Sequence, residues 1–183
     1  MNEQTPWFNT PQTFGRISIV LHWSTAWIFL TALVLGWWME DFELIETWLT
    51  ETHYLVGLSI LFLGLIRIIN LGLQVQPNLL GQPSIWQKRL KTWVQIGLVA
   101  CLVLLPVSGF LMMYWQNEPF EIYGLSLPQG IASESLSELF EEVHELLVNI
   151  ALILIGLHVL AAIKHHWFDM DDTLNRMRGR TVK

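Results

Sequence analysis

Four long runs of apolar residues dominate the hydropathy pattern along the chain. They lie at about 17–39, 53–73, 92–114 and 144–164. Each run reaches the roughly 20 residues that an α-helix needs to cross a hydrocarbon core about 30 Å thick. The pattern therefore predicts an all-α fold, an integral membrane four-helix bundle.

Polar segments connect these runs, and none is long enough to form a second domain. The connections are an acidic loop around 40–52, a loop rich in Gln, Pro, Asn and Gly at 74–87, and a longer segment at 115–143. Within the last segment, 133–142 predicts a short surface helix that leads into the fourth span, with Ser133 as its N-cap. We expect residues 1–183 to form a single membrane-embedded domain.

The composition agrees with membrane insertion and limits the chemistry. Of the 183 residues, 52% are hydrophobic, only 14% are charged and ten are Trp, which exceeds what an ordinary soluble domain contains. The amino-terminal residues lack the pattern of a cleaved signal peptide, so we expect the first apolar run to be retained. A single cysteine, Cys101, excludes an internal disulfide, and no C-x-x-C-H motif is present for covalent c-type haem attachment.

The charged residues divide sharply between the two sides of the predicted membrane. When the spans alternate in direction, all ten Lys and Arg residues fall on one side: Arg16, Arg67, Lys88, Arg89, Lys91, Lys164, Arg176, Arg178, Arg180 and Lys183. The loops on the other side carry acidic residues instead: Glu40, Asp41, Glu43, Glu46, Glu51, Glu118, Glu121, Glu134, Glu138, Glu141 and Glu142. The positive-inside rule predicts cytoplasmic termini and acidic loops that face the periplasm. A soluble bundle with asymmetric charge, the alternative, does not explain four uninterrupted membrane-length runs.

Four of the six histidines lie inside or at the ends of the first, second and fourth spans: His22, His53, His144 and His158. Ionisable side chains are costly within a membrane, so each suggests a function. His144 and His158 are fourteen residues apart on one helix. This spacing puts them on one face, separated by about 21 Å along the axis.

The depth of each histidine predicts two pairs. The order of the spans places His22 near His158 on the inner side and His53 near His144 on the outer side. Two imidazoles at each of two depths are what bis-imidazole ligation of two b-type haems requires. The alternatives are interhelical hydrogen bonds made by individual histidines, or zinc, which usually gathers three or four ligands in one place.

Other residues are candidates for contacts with the haems. Gly57 lies one turn after His53 on the same face of the helix, and it is a candidate for contact with the macrocycle. Arg16, Arg67 and Lys164 lie near the depth expected for the inner propionates, although a role as membrane-end anchors explains them adequately and is favoured. The third span carries no histidine, and we expect it to enclose the haems.

Glycines within the spans allow close backbone approach, either to another helix or to a flat porphyrin. They are Gly36, Gly57, Gly64, Gly97, Gly109 and Gly156. The sequence does not separate these two uses. Pro106 and Gly109 are expected to bend the third helix.

Several motifs together resemble the bacterial cytochrome b561 family, which is related to the cytochrome b subunits of nickel hydrogenases and formate dehydrogenases. They are RISIVLHW at 16–23, HYLVG at 53–57, LPVSG at 105–109, VHE at 143–145, GLH at 156–158 and HHWF at 165–168. The similarity covers nearly the whole chain. It implies a multi-pass protein of the bacterial inner membrane with His22, His53, His144 and His158 as haem ligands.

The resemblance also implies electron exchange with the quinone pool. We therefore expect a di-haem b-type membrane cytochrome that transfers electrons between a periplasmic redox partner and membrane quinone, such as ubiquinone. His165 and His166, flanked by Lys164 and Trp167, are candidates for a quinone site. Their alternative role is that of polar anchors in the lipid headgroup region.

Other functions remain open at this point. Superoxide oxidation coupled to ubiquinone reduction is attributed to some family members, but an acidic outer surface repels a small anion and favours a basic periplasmic cytochrome. The chain could instead be the membrane anchor of a hydrogenase-like or dehydrogenase complex. A haem-free scaffold and a proton transporter are the non-redox alternatives. Membrane lipid is an expected partner, and nucleic acid is not.

Overall fold

The computed structural model describes residues 5–39, 45–116 and 121–179. Four long helices follow one another: α1 (Arg16–Trp38), α2 (Glu46–Leu73), α3 (Ile85–Tyr114) and α4 (Glu134–Trp167). A short helix, α5 (Thr173–Met177), follows α4. All four long helices are long and apolar enough to cross a membrane. The predicted all-α bundle is thus confirmed, and the chain is a multi-pass membrane protein.

Three of the helices begin earlier than the hydropathy pattern predicts. For example, α3 begins at Ile85 rather than near residue 92. Ser84 and Gln87 form a capping box, in which the Ser84 hydroxyl accepts from the Gln87 N–H and the Gln87 side chain accepts from the Ser84 N–H. Because hydropathy detects only the lipid-facing part of a helix, it misses polar turns that continue beyond the membrane.

The predicted surface helix at 133–142 is wrong as a separate element. These residues form the first turns of α4, which is continuous from Glu134. Ser133 does occupy the N-cap position, but its side chain makes no capping hydrogen bond. Nothing in this segment interrupts the helical hydrogen bonds, so the short helix and the membrane span merge.

A small hairpin precedes α4 and was not predicted. Strands β1 (Glu121–Ile122) and β2 (Leu125–Ser126) pair antiparallel. The two residues between them, Tyr123 and Gly124, both have positive φ, 49° and 80°, as a two-residue hairpin turn requires. The hydroxyl of Tyr123 lies 2.6 Å from that of Thr52, and this contact fixes the hairpin to the start of α2.

The helices pack in sequence order, α1 on α2, α2 on α3 and α3 on α4. The main buried cluster lies among them and contains Phe29, Ala32, Ile60, Cys101, Leu102, Leu105 and Ala151. Two glycines allow close approach. A Cβ atom on Gly64 would lie 2.9 Å from Leu102 Cβ, and one on Gly97 would lie 2.7 Å from Leu154 Cδ1. These two glycines therefore serve helix packing.

One end of the bundle holds the first and last described residues, and we call it the terminal end; the opposite end, with the β1–β2 hairpin, is the hairpin end. At the terminal end the amino-terminal segment, the α2–α3 loop and α5 are joined by hydrogen bonds. Asn78 N–H donates to the Pro11 carbonyl, and Arg176 Nη1 donates to the Asn78 carbonyl, each at 2.8 Å. Trp23 Nε1 donates to the Met177 carbonyl, also at 2.8 Å. Three segments distant in sequence thus close this end.

Candidate functional site

The structure brings four histidines together as two separate pairs. The rings of His22 on α1 and His158 on α4 have centroids 6.0 Å apart. Those of His53 on α2 and His144 on α4 are 6.4 Å apart. These are the two pairs that helix geometry predicts. The fourteen residues between the two α4 histidines separate the pairs by about 21 Å along that helix.

The ring spacing in both pairs suits a shared metal ion. Two metal–imidazole bonds of about 2 Å, with roughly 1.1 Å from each nitrogen to its ring centre, give about 6.2 Å between centroids. A direct N–H···N hydrogen bond between the rings would bring the centroids to about 5 Å. The observed 6.0 and 6.4 Å thus agree better with a ligand pair than with hydrogen-bonded histidines.

His53 is oriented by two residues of α1, one turn apart. Its Nδ1 lies 3.0 Å from the Ala32 carbonyl oxygen. Since a carbonyl only accepts, this contact assigns the proton to Nδ1 and leaves the lone pair of Nε2 free. Gly36 lies against the ring, and a Cβ atom there would be 3.1 Å from His53 Cε1. The backbone of α1 therefore shapes the position of a ring that α2 carries.

His144 is oriented in the same way by α3. Its Nδ1 lies 3.1 Å from the Leu105 carbonyl oxygen and 3.0 Å from Ser108 Oγ. Ser108 is buried and donates to the same carbonyl at 2.9 Å, so its oxygen can accept from the ring. A Cβ atom on Gly109 would lie 3.2 Å from His144 Cε1. Sequence reasoning gave α3 only an enclosing role, although the LPVSG motif contains all three residues.

The pair at the terminal end has a different neighbour. Arg67 Nη2 lies 3.0 Å from His22 Nδ1. Because a guanidinium only donates, His22 Nδ1 is the acceptor in this contact, unlike Nδ1 of His53 and His144. This pair is therefore contacted by a cation, whereas the rings of the other pair are held by carbonyl oxygens.

The other predicted contact residues lie apart from the rings. Arg16 stacks on Trp7, with its guanidinium carbon 5.4 Å from the ring centre. Gly57 faces open space, and a Cβ atom there would meet nothing within 4 Å. The open space beside Gly57, one turn from His53, leaves room for a flat group.

A further cluster lies where α4 ends. His165 Nδ1 is 2.6 Å from Asp171 Oδ2 and 3.4 Å from Asp169 Oδ2. Ligand atoms of these three residues lie within 4.8 Å of one another, close enough to consider a metal ion. However, Lys164 already neutralises Asp169 at 2.5 Å, which disfavours a cation there. His166, the other histidine predicted for the quinone site, is not part of this cluster. Its ring centre lies 6.4 Å from that of Trp167.

The sequence model of a family described as prokaryotic cytochrome b561 matches residues 13–180. The chain belongs to the prokaryotic cytochrome b561 family. The resemblance predicted from the sequence motifs is therefore confirmed, and membership in this family implies haem b as the cofactor.

Curated relatives match along almost their whole length. Cytochrome b561 homolog 1 of Escherichia coli (strain K12) is 28% identical over 171 residues, which cover 91% of this chain and 97% of that protein. Cytochrome b561 homolog 2 of the same organism is 28% identical over 178 residues, 94% of this chain and 95% of that protein. The probable superoxide oxidase CybB of Yersinia pestis is 28% identical over 175 residues, 90% and 94% respectively.

The residues present fit the cofactor of the cytochrome b561 family. Haem b is held without covalent attachment, and two histidines on opposite sides can serve as its protein ligands. Each histidine pair offers two opposed rings at a suitable spacing. In the His53/His144 pair, both Nδ1 atoms bind carbonyl oxygens, which is the usual support for an imidazole that binds iron through Nε2.

Proposed function

We propose that this chain is a di-haem membrane cytochrome that transfers electrons between a periplasmic redox partner and membrane quinone. His22 and His158 would hold one haem, and His53 and His144 the other. The observation that carries the proposal is the occurrence of two opposed imidazole pairs, at 6.0 and 6.4 Å, at two levels of one membrane bundle. A haem at each level would give the chain two redox centres at different depths of the membrane.

The axial pairs also limit the type of chemistry. When bound, haem supplies reversible one-electron exchange between ferric and ferrous iron. Haems held by His22 with His158 and by His53 with His144 would keep no ligand position for a substrate. The protein would then act by outer-sphere electron transfer, and the residues around each haem would determine which partners can approach.

The surroundings of the proposed haems support specific contacts. Gly57 leaves space for a macrocycle beside His53. Arg67 contacts His22 and is suited to bind a propionate, because a guanidinium binds carboxylates through two parallel hydrogen bonds. A neutral imidazole that binds iron through Nε2 carries its proton on Nδ1. Arg67 would therefore donate to the propionate rather than to His22.

The first experiment measures haem content. Purified protein expressed with sufficient haem should give about two b-type haems per chain by pyridine haemochrome analysis, one for each axial pair. A value near one would leave only one pair in use. The absence of haem would refute the proposal and favour a scaffold or proton transporter.

The charges of the two ends favour a terminal end in the cytoplasm. All described Lys and Arg residues lie at the terminal end, whereas the described charged residues of the hairpin end are acidic: Glu46, Glu51, Glu121, Glu134, Glu138, Glu141, Glu142 and Glu145. The predicted Glu40, Asp41, Glu43, Glu118, Arg180 and Lys183 lie outside the described residues. By the positive-inside rule, the hairpin end would face the periplasm of a bacterial inner membrane.

The acidic hairpin end favours a basic protein as the periplasmic partner. Carboxylates attract a cationic surface and repel a small anion such as superoxide. They therefore raise the association rate of a basic protein and lower that of superoxide. Superoxide oxidation is the second candidate function, since one relative is named a probable superoxide oxidase. The charge pattern and the relative's name thus point to different donors.

Salt dependence distinguishes the two donors. We expect the second-order rate of electron exchange with a basic c-type cytochrome to fall at least about tenfold between roughly 20 and 500 mM salt, because ions screen the attraction. Stopped-flow absorbance of the haems measures this rate. Changing Glu138, Glu141 and Glu142 to Gln should lower the rate at low salt and flatten its salt dependence. A rate independent of salt, together with fast reduction by superoxide, would favour the second candidate.

The proposed quinone site lies at the terminal end of α4. His165 follows His158 by seven residues, two helical turns, and so shares its face of the helix. This places the His165 side chain about 10 Å along the axis from the axial ligand. A quinone beside His165 would therefore be close to the His22 and His158 pair and to the aqueous phase.

A further inference from the structure

The structure gives His165 a carboxylate partner that is itself held in place. His165 Nδ1 lies 2.6 Å from Asp171 Oδ2, and the other Asp171 oxygen accepts from the Thr173 N–H at 2.8 Å. The Asp171 N–H donates to the His165 carbonyl at 3.1 Å. The turn after α4 thus folds back toward His165. Its backbone hydrogen bonds fix the position of the Asp171 side chain against the imidazole.

The second nearby carboxylate has a different partner. Both oxygens of Asp169 accept from Lys164 Nζ, at 2.8 and 2.5 Å, and Asp169 lies 3.4 Å from the imidazole. Its charge is therefore already balanced. Asp171 has a side chain only 20% exposed, whereas that of Asp169 is 36% exposed. Of the two carboxylates, Asp171 is therefore the one suited to fix the orientation of the His165 ring and the nitrogen that carries its proton.

The electrostatic state of Asp171 supports this arrangement. Burial raises the pKa of the Asp171 carboxyl, but hydrogen bonds from Thr173 and His165 outweigh burial and leave the pKa below its ordinary value. Asp171 therefore remains a carboxylate near neutral pH. A carboxylate at Nδ1 keeps the proton on that nitrogen and leaves Nε2 as the atom that gains and loses a proton.

We propose that Asp171 is a positioning residue that makes His165 the proton carrier between the cytoplasmic water and a quinone oxygen. The inference rests on the quinone function proposed above and assigns the proton step to one of the two histidines. Pairs of an imidazole and an orienting carboxylate perform general acid–base catalysis in many enzymes. His166, with its ring near Trp167, lies about 100° around the helix from His165.

The proton balance follows directly. Reduction of a quinone to a quinol takes two electrons and two protons. The electrons arrive singly from the periplasmic donor, which is oxidised, by way of the haems. His165 supplies one of these protons: its Nε2–H bond breaks as an O–H bond forms on the nearer quinone oxygen, and Nε2 then takes a proton from water. The oxygen at the opposite end of the quinone ring takes the second proton from water. Asp171 stays ionised and stabilises the imidazolium. Quinol oxidation runs through the same atoms in reverse.

The test compares Asp171→Asn with Asp169→Asn. Both variants remove one carboxylate charge from the same turn, but only the first changes the group that holds His165 Nδ1. In Asp171→Asn, we expect the maximal rate of haem reduction by ubiquinol to fall about 100-fold or more, the usual contribution of general acid–base catalysis. The KM for ubiquinol should stay within about twofold, because the carboxylate does not touch the quinone. In Asp169→Asn the rate should change less than about threefold.

Two further measurements separate a proton role from a structural one. Asp171→Glu, which restores the charge, should recover most of the rate. ¹⁵N NMR of histidine-labelled, dithionite-reduced protein should show His165 protonated at Nδ1 in the wild type and a tautomer mixture in Asp171→Asn. If Asp171→Asn loses haem or fails to insert, His165→Gln provides the test through the same loss of maximal rate, measured at saturating ubiquinol because the His165 side chain itself contacts the quinone.

The outcomes distinguish this inference from the proposed function. If wild-type haems are reduced by ubiquinol and Asp171→Asn reacts equally fast, the dyad has no proton role and the quinone function stands. Equal losses in Asp169→Asn and Asp171→Asn would also overturn the inference. If ubiquinol does not reduce the wild-type haems at all, the quinone function fails and the inference fails with it.

Discussion

Changing His158 to Ala should remove the haem at the terminal end and leave the haem at the hairpin end. The haem content should fall from about two to about one per chain, because one imidazole alone leaves a site with an open coordination position and weak binding. His22→Ala should give the same result. His53→Ala and His144→Ala should instead remove the other haem. Pyridine haemochrome analysis and redox titration of the remaining centre measure which haem is lost.

His166→Ala is the matched control for these variants, since it removes a histidine of α4 that belongs to neither pair. This variant should retain about two haems. Loss of both haems from each of the four single variants would contradict the proposed pairing. Retention of both haems in any of them would show that the changed histidine is not a ligand.

The second large effect is expected at the glycines that touch the axial rings. A Cβ atom at position 36 would already lie 3.1 Å from His53 Cε1, so the branched side chain of Gly36→Val would displace the ring. We expect this variant to lose the haem at the hairpin end and keep the other. Gly109→Val, against His144, should behave alike, since its Cβ would lie 3.2 Å from Cε1 of that ring.

Two further glycines of α2 extend this experiment: Gly72 provides a control, and Gly57 tests where the macrocycle lies. In both, a Cβ atom would meet no protein atom within 4 Å. Gly72→Val, near the end of α2, should keep both haems. Gly57→Val should lose the haem at the hairpin end, but only if a macrocycle occupies the space beside His53. Full haem content in Gly57→Val would place the macrocycle on another side of the ring, and full content in Gly36→Val would contradict the proposed role of the α1 backbone.

The sequence was sufficient to predict which histidines meet. A helix has a fixed rise and a fixed rotation per residue, so the separation of His144 and His158 determined both their depth and their common face. The alternation of the spans then determined the depths of His22 and His53. These inferences need only the backbone geometry of single helices, which the structure reproduces.

The contacts that orient the rings could not be predicted in the same way. Ser108 and the Leu105 carbonyl reach His144 only because α3 packs on α4, and Ala32 reaches His53 only because α1 packs on α2. Such contacts depend on the rotation of each helix about its own axis. Hydropathy alone gives little information on rotation when the helices are apolar on all sides.

The connections between the helices also required the structure. The turn at Tyr123 and Gly124 lacks the Asn-Gly or Asp-Gly signal of a two-residue hairpin. Asp171 comes to His165 through a reversal of the chain after α4 that has no clear signal in the sequence. Both features are short and depend on contacts with a long helix. The hairpin contacts the start of α2, and the turn that carries Asp171 contacts the end of α4.

Helix α4 contributes one ring to each histidine pair, and it is the last of the four long helices in the chain. During synthesis the ribosome therefore completes α1, α2 and α3 before either proposed haem can receive its second ligand. Stable capture of both haems would then coincide with insertion of the final helix. A nascent chain stopped before α4 would have bound neither cofactor firmly, so the cell would not accumulate a half-assembled electron carrier that is already redox active.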